Sequence, residues 1–140
     1  MPSSNYLLLD AVIVILAHKS NVWTLLKRRY RVAVPATVVD EARFWRSEMG
    51  AQPIDLRSQA DSSEIDCLEA TIDELQLATT DFAPSFTEGL HAGEREALAL
   101  LLGGRFPDHL FCTADIHAVE AAAMLGLGAK LISWEAVLCA

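Results

Sequence analysis

The sequence of 140 residues lacks an apolar run long enough to cross a membrane. A spanning helix needs about 20 consecutive apolar residues, whereas the longest apolar stretch, residues 6–17, is interrupted by Asp10. The stretch also lacks the basic leader and small-residue cleavage site of a secretory signal. We therefore expect a cytoplasmic protein that does not enter a membrane.

Cysteine is scarce as well. The three cysteines, Cys67, Cys112 and Cys139, form no CxxC pair, and their odd number rules out complete pairing. This spacing argues against a disulfide framework and against a zinc knuckle. We expect reduced thiols, most of them buried.

Positive charge is also in short supply. Eleven basic residues stand against 19 acidic ones, which gives a net charge of -8, so the chain as a whole does not attract nucleic acid. A nucleic-acid enzyme is not excluded, since a site built from carboxylates adds negative charge until a metal ion fills it. The one dense basic segment, residues 27–31, either guides an RNA backbone or complements a helix C-terminus.

Apolar residues, by contrast, are plentiful. They make up 52% of the chain, and the mean hydropathy is +0.27, which is enough for a large core. No internal repeat or low-complexity segment divides the chain, and its length suits one domain. We expect a single domain over residues 1–140.

Short apolar segments alternate with segments of helical periodicity. Strands are predicted at residues 6–9, 31–35, 53–57, 109–113 and 129–134. Helices are predicted at residues 11–17, 22–29, 36–50, 63–77, 91–104 and 115–126, and a loop at 79–89. This alternation predicts a three-layer α/β fold with a parallel sheet.

Four acidic residues follow the predicted strands. Asp10 ends the first strand, Asp115 follows the fourth, Glu41 lies in the helix after the second, and Glu94 lies in the first turn of helix 91–104. In parallel sheets, ligands bind at the carboxyl ends of the strands, beside the point where strand order reverses. We therefore expect the four carboxylates to converge.

Each acid also has a structural explanation or a competitor. Asp115 suits a helix N-cap, and Asp40 competes with Glu41. We favour Glu41 because it lies three residues from both Val38 and Phe44, near the buried face of its helix.

The segment around Glu94 offers further candidates. Glu96 competes with Glu94, and we interpret Glu96 as part of a solvated face. His91 and His117 are interpreted as surface histidines, because chemistry based on a hard cation does not need imidazole.

Converging carboxylates repel one another unless a cation neutralises them. Oxygen ligands suit Mg²⁺ or Mn²⁺. Such ions activate a water molecule and stabilise the attacking and leaving oxygens of phosphodiester hydrolysis. The spacing therefore predicts a divalent-metal site suited to phosphodiester chemistry.

Four segments together resemble a known family. They are "LLLDAVIVI", "VPATVVDEA", "LHAGEREALAL" and "FCTADIHAVEAAAMLGLG". Their order and spacing resemble the PIN-domain family, which includes the ribonuclease toxins of VapBC toxin-antitoxin modules. The resemblance covers residues 6–138.

The resemblance implies an α/β/α sandwich with a parallel sheet of about five strands and a Mg²⁺- or Mn²⁺-dependent endoribonuclease. By position, the catalytic and metal-binding residues are Asp10, Glu41, Glu94 and Asp115, and Thr113 is a supporting polar group. The implied partners are an RNA substrate, an antitoxin protein and a second copy of the chain in a homodimer.

The sequence also departs from the family. Ala11 stands where the family often has a hydroxyl residue, His91 stands where many relatives carry aspartate, and "ISWEAVL" replaces an ending that usually contains glycine and threonine. These departures motivate a second hypothesis, a non-catalytic PIN-fold module that binds a protein partner or RNA.

Two other α/β classes fit less well. A receiver domain needs an acidic pair after the first strand and a lysine after the last, but here only Asp10 is present and Lys130 does not follow the last predicted strand. A phosphatase of the haloacid-dehalogenase type needs an acid where Val12 stands.

Overall fold

The computed structural model of the chain describes residues 5–80 and 89–139. Its strands, in chain order, are β1 (Tyr6–Leu9), β2 (Arg31–Pro35), β3 (Phe44–Ser47), β4 (Gly50–Pro53), β5 (Asp66–Leu68) and β6 (His109–Cys112). Its helices are α1 (Ala11–Lys19), α2 (Trp23–Arg29), α3 (Ala36–Glu41), α4 (Leu56–Asp61), α5 (Ile72–Thr79), α6 (Ala92–Leu102), α7 (Ile116–Met124) and α8 (Trp134–Cys139), with a 3₁₀ turn at Gly128–Lys130.

A four-stranded sheet forms the centre of the described structure, in the order β5-β2-β1-β6. Every neighbouring pair in it is parallel. β1 and β2 are the two inner strands, and Tyr6 of β1 lies opposite Arg31 on one side and His109 on the other. The predicted α/β class and parallel sheet are therefore confirmed, as are the strands at β1, β2 and β6.

Helices cover both faces of this sheet. Leu7 and Leu9 pack into a core with α1 and α2, while Leu8 on the opposite face packs into a second core with α6 and α7. All three leucines are buried. A strand covered on both faces reads as a continuous apolar run, which is why β1 shows no alternation of apolar and polar residues.

The strand order reverses beside β1. The chain runs from β1 to β2 and β5 on one side, and β6 then returns to the other side of β1. At the carboxyl ends of β1 and β6, the two following helices begin at Asp10 and Asp115, whose side chains cap α1 and α7. The topology thus brings these two carboxylates to the edge of the sheet where ligands bind in such folds.

The predicted fifth strand at residues 129–134 is wrong for the described structure. Leu131 forms one isolated parallel bridge with Phe111, and the Ile132 amide donates to the Phe111 carbonyl at 3.0 Å. The Leu131 amide donates back to Gly128 at 3.2 Å within the 3₁₀ turn. The 3₁₀ turn ends at Lys130 and α8 begins at Trp134, so no strand extends from the bridge.

The predicted helix at residues 36–50 is too long. α3 ends at Glu41, and β3 and β4 then pair as an antiparallel hairpin. The turn between them ends at Gly50, whose φ of 105° is a conformation that favours glycine. The same turn signal is present in the sequence, but we read Gly50 as a helix end.

Two further predicted elements are replaced by others. The strand predicted at residues 53–57 is wrong, because β4 ends at Pro53 and α4 begins at Leu56. Asp55 caps α4 by accepting a hydrogen bond from the Ser58 amide at 3.0 Å. The predicted helix at 63–77 is divided into β5 and α5, and Thr71 and Glu74 form a capping box where α5 begins. The predicted loop at 79–89 falls mainly on residues 81–88, which lie outside the described residues.

None of the three cysteines is in a disulfide. Cys112 is buried, Cys67 is partly exposed and Cys139 is exposed, so the expectation that most of the thiols are buried is wrong. In the described ranges, no helix has both the length and the apolar character needed to cross a membrane.

Candidate functional site

Asp10 is a buried carboxylate at the end of β1, with 2% of its surface exposed. Its Oδ1 accepts the Ile13 amide at 2.9 Å, and its Oδ2 accepts the Thr113 hydroxyl. Burial raises the pKa of Asp10 above its ordinary value, and Asp115 raises it further. The hydrogen bonds from Thr113, Ile13 and the Ala114 backbone act in the opposite direction.

Thr113 connects the two strand ends. Its hydroxyl donates to Asp10 and accepts the Asp115 amide at 3.2 Å. One side chain therefore fixes the Asp10 carboxylate and the backbone that carries Asp115. Ala11, the residue after Asp10, has no hydroxyl. The hydroxyl group that holds the Asp10 carboxylate comes instead from Thr113, directly after β6.

Asp115 has the capping role that its position predicts. Its Oδ1 accepts the His117 amide at 2.7 Å, and its side chain is partly exposed. Capping uses one carboxylate oxygen, so Asp115 can cap α7 and still present its other oxygen to a ligand.

Glu94 reaches the same place from α6. It is 4% exposed, and its Oε2 is buried with no hydrogen-bond partner. Burial raises the pKa of Glu94 to about 8, with further contributions from Asp115 and Asp10, while the His91 backbone lowers it. A buried carboxylate oxygen without a donor is costly, which calls for a ligand at this position.

Glu41 lies at the rim of the site. Its Oε1 accepts the Gly93 amide at 3.0 Å, so the end of α3 is tied to the start of α6. Glu41 is more exposed than Asp10 and Glu94. Neighbouring Asp40 does not line this cleft. The predicted reason for preferring Glu41 is wrong, because Glu41 is exposed, α3 ends at Glu41 and the exposed Phe44 belongs to β3.

These residues surround a cleft of about 140 Å³. Its lining consists of Asp10, Ala11, Val12, Glu41, His91, Gly93 and Glu94. No lysine or arginine is among these lining residues. The acidic groups in this part of the described structure therefore face one another without a cationic side chain between them.

His91 is exposed, as expected for a surface histidine, but it lies beside two of the acidic residues. One ligand atom from each of His91, Glu94 and Asp115 lies within 4.8 Å of the others. His91 precedes Glu94 by three residues, and on a helix this spacing brings side chains together. The spacing was visible in the sequence, but the proximity to Asp115 depends on how α6 and α7 pack.

Glu96 is not on a solvated face, as the sequence suggested. It is 6% exposed and accepts three hydrogen bonds: from the Thr37 amide and hydroxyl, both at 2.9 Å, and from the Ala70 amide at 3.0 Å. Its carboxylate is fully used in joining α6 to α3 and to the segment before α5. Glu96 is therefore structural, in contrast to Glu94.

The basic segment at residues 27–31 lies at the other end of the sheet. Arg31 begins β2 and forms an ion pair with Asp66 at 2.6 Å, and Lys27 pairs with Glu64 at 2.9 Å. The acidic cleft lies at the carboxyl ends of the strands. This placement favours the interpretation of the segment as a helix end rather than as a guide for RNA.

The donor set in the cleft fits a divalent cation. Ligand atoms of His91, Glu94 and Asp115 lie close together, and the Glu94 Oε2 has no hydrogen-bond partner. Asp10 is outside that group, but it lines the cleft together with Glu94 and His91. Glu41 is placed to contribute from the rim. Such a set suits divalent ions that accept oxygen and nitrogen ligands.

Comparisons of the chain with models of known protein families, with curated proteins and with solved structures gave no match. The geometry of the site and the sequence resemblance are therefore the grounds on which a function can be argued.

Proposed function

We propose that the protein is a divalent-metal-dependent endoribonuclease that hydrolyses RNA phosphodiester bonds. One observation carries the proposal: a buried Glu94 oxygen without a hydrogen-bond partner, beside Asp115 and close enough to Asp10 to raise the pKa of Glu94. Strained acidic groups in a cleft are more typical of functional sites than of structural ion pairs.

The residues that would hold Mg²⁺ or Mn²⁺ are Asp10, Glu94 and Asp115, with Glu41 at the rim. A bound divalent cation would supply charge neutralisation for the phosphodiester and would lower the pKa of a water molecule. Without it, the facing carboxylates would repel a phosphate.

The chain's own contribution is orientation. Thr113 and the Ile13 amide fix both oxygens of Asp10, so this carboxylate does not need to reorganise when a ligand arrives. The His117 amide fixes Asp115. Such preorganisation is worth more in a buried site than in water.

The choice of RNA as the substrate rests on the PIN-domain resemblance. The expected antitoxin partner and homodimer rest on the same resemblance. The geometry of the cleft supports only the part of the proposal that concerns the cation and the phosphodiester chemistry.

The test compares Mn²⁺-dependent RNA cleavage by the wild type, Asp10→Asn and Asp115→Asn. Asparagine caps a helix about as well as aspartate, so these variants remove charge and retain the caps. Removing an outer-shell partner already costs about 10- to 100-fold at metal sites; we expect a loss of about 100-fold or more for either variant.

Asp55→Asn is the matched control. Asp55 also caps a helix through its Oδ1, but it lies outside the cleft, and we expect this variant to cleave RNA like the wild type. Equal activity in all four proteins would rule out the proposed site. RNA binding without cleavage, in the wild type as well, would instead support the non-catalytic PIN-fold module.

A further inference from the structure

We propose that the His91 imidazole is a ligand of the cation held by Glu94 and Asp115, and that the site therefore selects Mn²⁺ and later first-row transition ions over Mg²⁺. The inference rests on the cation site of the proposed function. It does not depend on RNA cleavage.

The first ground is convergence from two helices. His91 and Glu94 lie in the first turn of α6, and Asp115 lies at the start of α7. One ligand atom of each lies within 4.8 Å of the others. Three groups at this separation can share one ion after small side-chain adjustments.

The second ground is that these groups have few other structural partners. His91 is the N-cap residue of α6, but its side chain makes no capping hydrogen bond. Glu94 belongs to the same group of residues, and its Oε2 is buried without a hydrogen-bond partner. By contrast, the Glu96 carboxylate two residues further along α6 is satisfied by three hydrogen bonds.

The chemistry of imidazole gives the selectivity. Mg²⁺ is held by oxygen ligands and gives up its waters reluctantly. Imidazole suits transition ions, and affinity for nitrogen-containing sites rises from Mn²⁺ through Co²⁺ and Ni²⁺. A histidine beside two carboxylates therefore moves the preference away from Mg²⁺, which three carboxylates alone would accept.

The experiment measures Mn²⁺ and Mg²⁺ affinities by calorimetry for the wild type, His91→Ala and His91→Asp. We expect the ratio of Mn²⁺ to Mg²⁺ affinity to fall about ten-fold or more in His91→Ala, at least the effect of losing an outer-shell partner. His91→Asp adds an oxygen ligand and is expected to raise the relative affinity for Mg²⁺.

Electron spin-echo spectroscopy of the Mn²⁺-loaded wild type should show coupling to a nitrogen nucleus, and His91→Ala should lose it. His117→Ala is the control, since this exposed histidine is two residues past Asp115 and outside the group of ligand atoms. It should keep both the coupling and the affinity ratio.

The outcomes separate the two proposals. Mn²⁺ binding with nitrogen coupling but no RNA cleavage would contradict the ribonuclease and support the His91 ligand. Mn²⁺ binding and cleavage without nitrogen coupling, with an unchanged ratio in His91→Ala, would overturn the His91 ligand alone. Failure of the wild type to bind any divalent cation would overturn both.

Discussion

Gly93 brings two helices close enough for Glu41 to reach the cleft. Its amide donates to Glu41 Oε1 at 3.0 Å. A Cβ atom added at this position would lie 2.7 Å from Val38 Cγ2 and 3.1 Å from Glu41 Oε1. The absence of a side chain, rather than unusual backbone freedom, is therefore what Gly93 provides.

We predict that Gly93→Ala destabilises the protein by about 1–3 kcal/mol, the usual cost of overpacking a close contact. The added methyl group must push α6 away from α3, which also weakens the hydrogen bond to Glu41. RNA cleavage should fall together with stability. Urea unfolding and the cleavage assay measure the two effects.

Gly128→Ala is the control, since a Cβ at Gly128 meets no atom within 4 Å. It should stay within about 0.5 kcal/mol of the wild type, as surface changes usually do. If the free energy of unfolding of Gly93→Ala were also within about 0.5 kcal/mol of the wild-type value, α3 and α6 would tolerate the methyl group.

Among the helices, α5 is held against α6 by an ion pair at the far end of α6. Arg105 donates to Glu74 Oε1 at 2.7 Å and to Oε2 at 3.0 Å. Glu74 also accepts the Thr71 amide at 2.9 Å in the capping box. The hydrogen bonds from Arg105 are the main cause that lowers the pKa of Glu74 to about 2.

Because the pKa of Glu74 is lowered in the folded state, the stability that its ion pair with Arg105 contributes depends on pH. The folded state favours the charged carboxylate, so the stabilisation is present above the ordinary pKa of 4.5 and is lost as the pH falls towards about 2. We predict that Glu74→Gln, which can keep the capping box, has a lower urea midpoint than the wild type at neutral pH. The difference should narrow below about pH 4.5 and vanish near pH 2.

Asp73→Asn is the matched control for this helix. Asp73 is exposed in the same first turn and makes no ion pair among those found in the described structure. At neutral pH, the urea midpoint of Asp73→Asn should differ less from that of the wild type than the midpoint of Glu74→Gln does. If the difference in urea midpoint between Glu74→Gln and the wild type stayed constant down to pH 2, the role of Arg105 would be contradicted.

For the molecule as a whole, Glu94 makes folding costly at neutral pH. Burial, and then the neighbouring Asp115 and Asp10, raise the pKa of Glu94 to about 8, so the carboxylate must take up a proton when the chain folds, and its Oε2 has no hydrogen-bond partner. A ligand that binds only the folded state adds stability in proportion to the logarithm of its concentration. The melting temperature therefore reports on the site independently of RNA.

We predict that Mn²⁺ at about 100 times its dissociation constant raises the melting temperature by on the order of 5–10 °C. Glu94→Gln should melt above the wild type in a chelator at neutral pH, because the neutral glutamine does not need to take up a proton when it is buried beside Asp115 and Asp10. The melting temperature of the same variant should rise less when Mn²⁺ is added. Differential scanning fluorimetry measures all of these values.

Glu96→Gln, on the same helix, should behave in the opposite way. It disturbs a satisfied carboxylate, so it should melt below the wild type in the chelator and retain the full shift with Mn²⁺. If Glu94→Gln melted below the wild type in the chelator, the unpartnered Glu94 oxygen would not be a source of strain.

The strands could be predicted from the sequence where all of their residues are buried or nearly so. β1, β2 and β6 are short apolar runs that end at or near the site, so their type and position could be predicted. The three residues of β5 could not be predicted, and the strand predicted at residues 129–134 is only the bridge at Leu131. Such short segments become strands only through their neighbours. The half-exposed residues of β3 alternate in burial, but they were read as the continuation of α3.

The same division holds for the site. Asp10, Glu94 and Asp115 could be selected because strand ends and helix starts fix their positions along the chain. The difference between Glu94 and Glu96 in burial and bonding could not be read from the sequence, since it depends on Thr37 and Ala70. The proximity of His91 to Asp115 could not be predicted, because Asp115 caps a different helix.

The reversal of strand order beside β1 also sets when the cleft can form. Thr113 and Asp10 are 103 residues apart, and closing so long a segment is slow compared with local helix formation. During synthesis, Asp10 leaves the ribosome long before β6 exists. A growing chain can pair β1 with β2 and β5 and still have no complete acidic cleft, so the assembled site exists only after residues 109–115 have been synthesised.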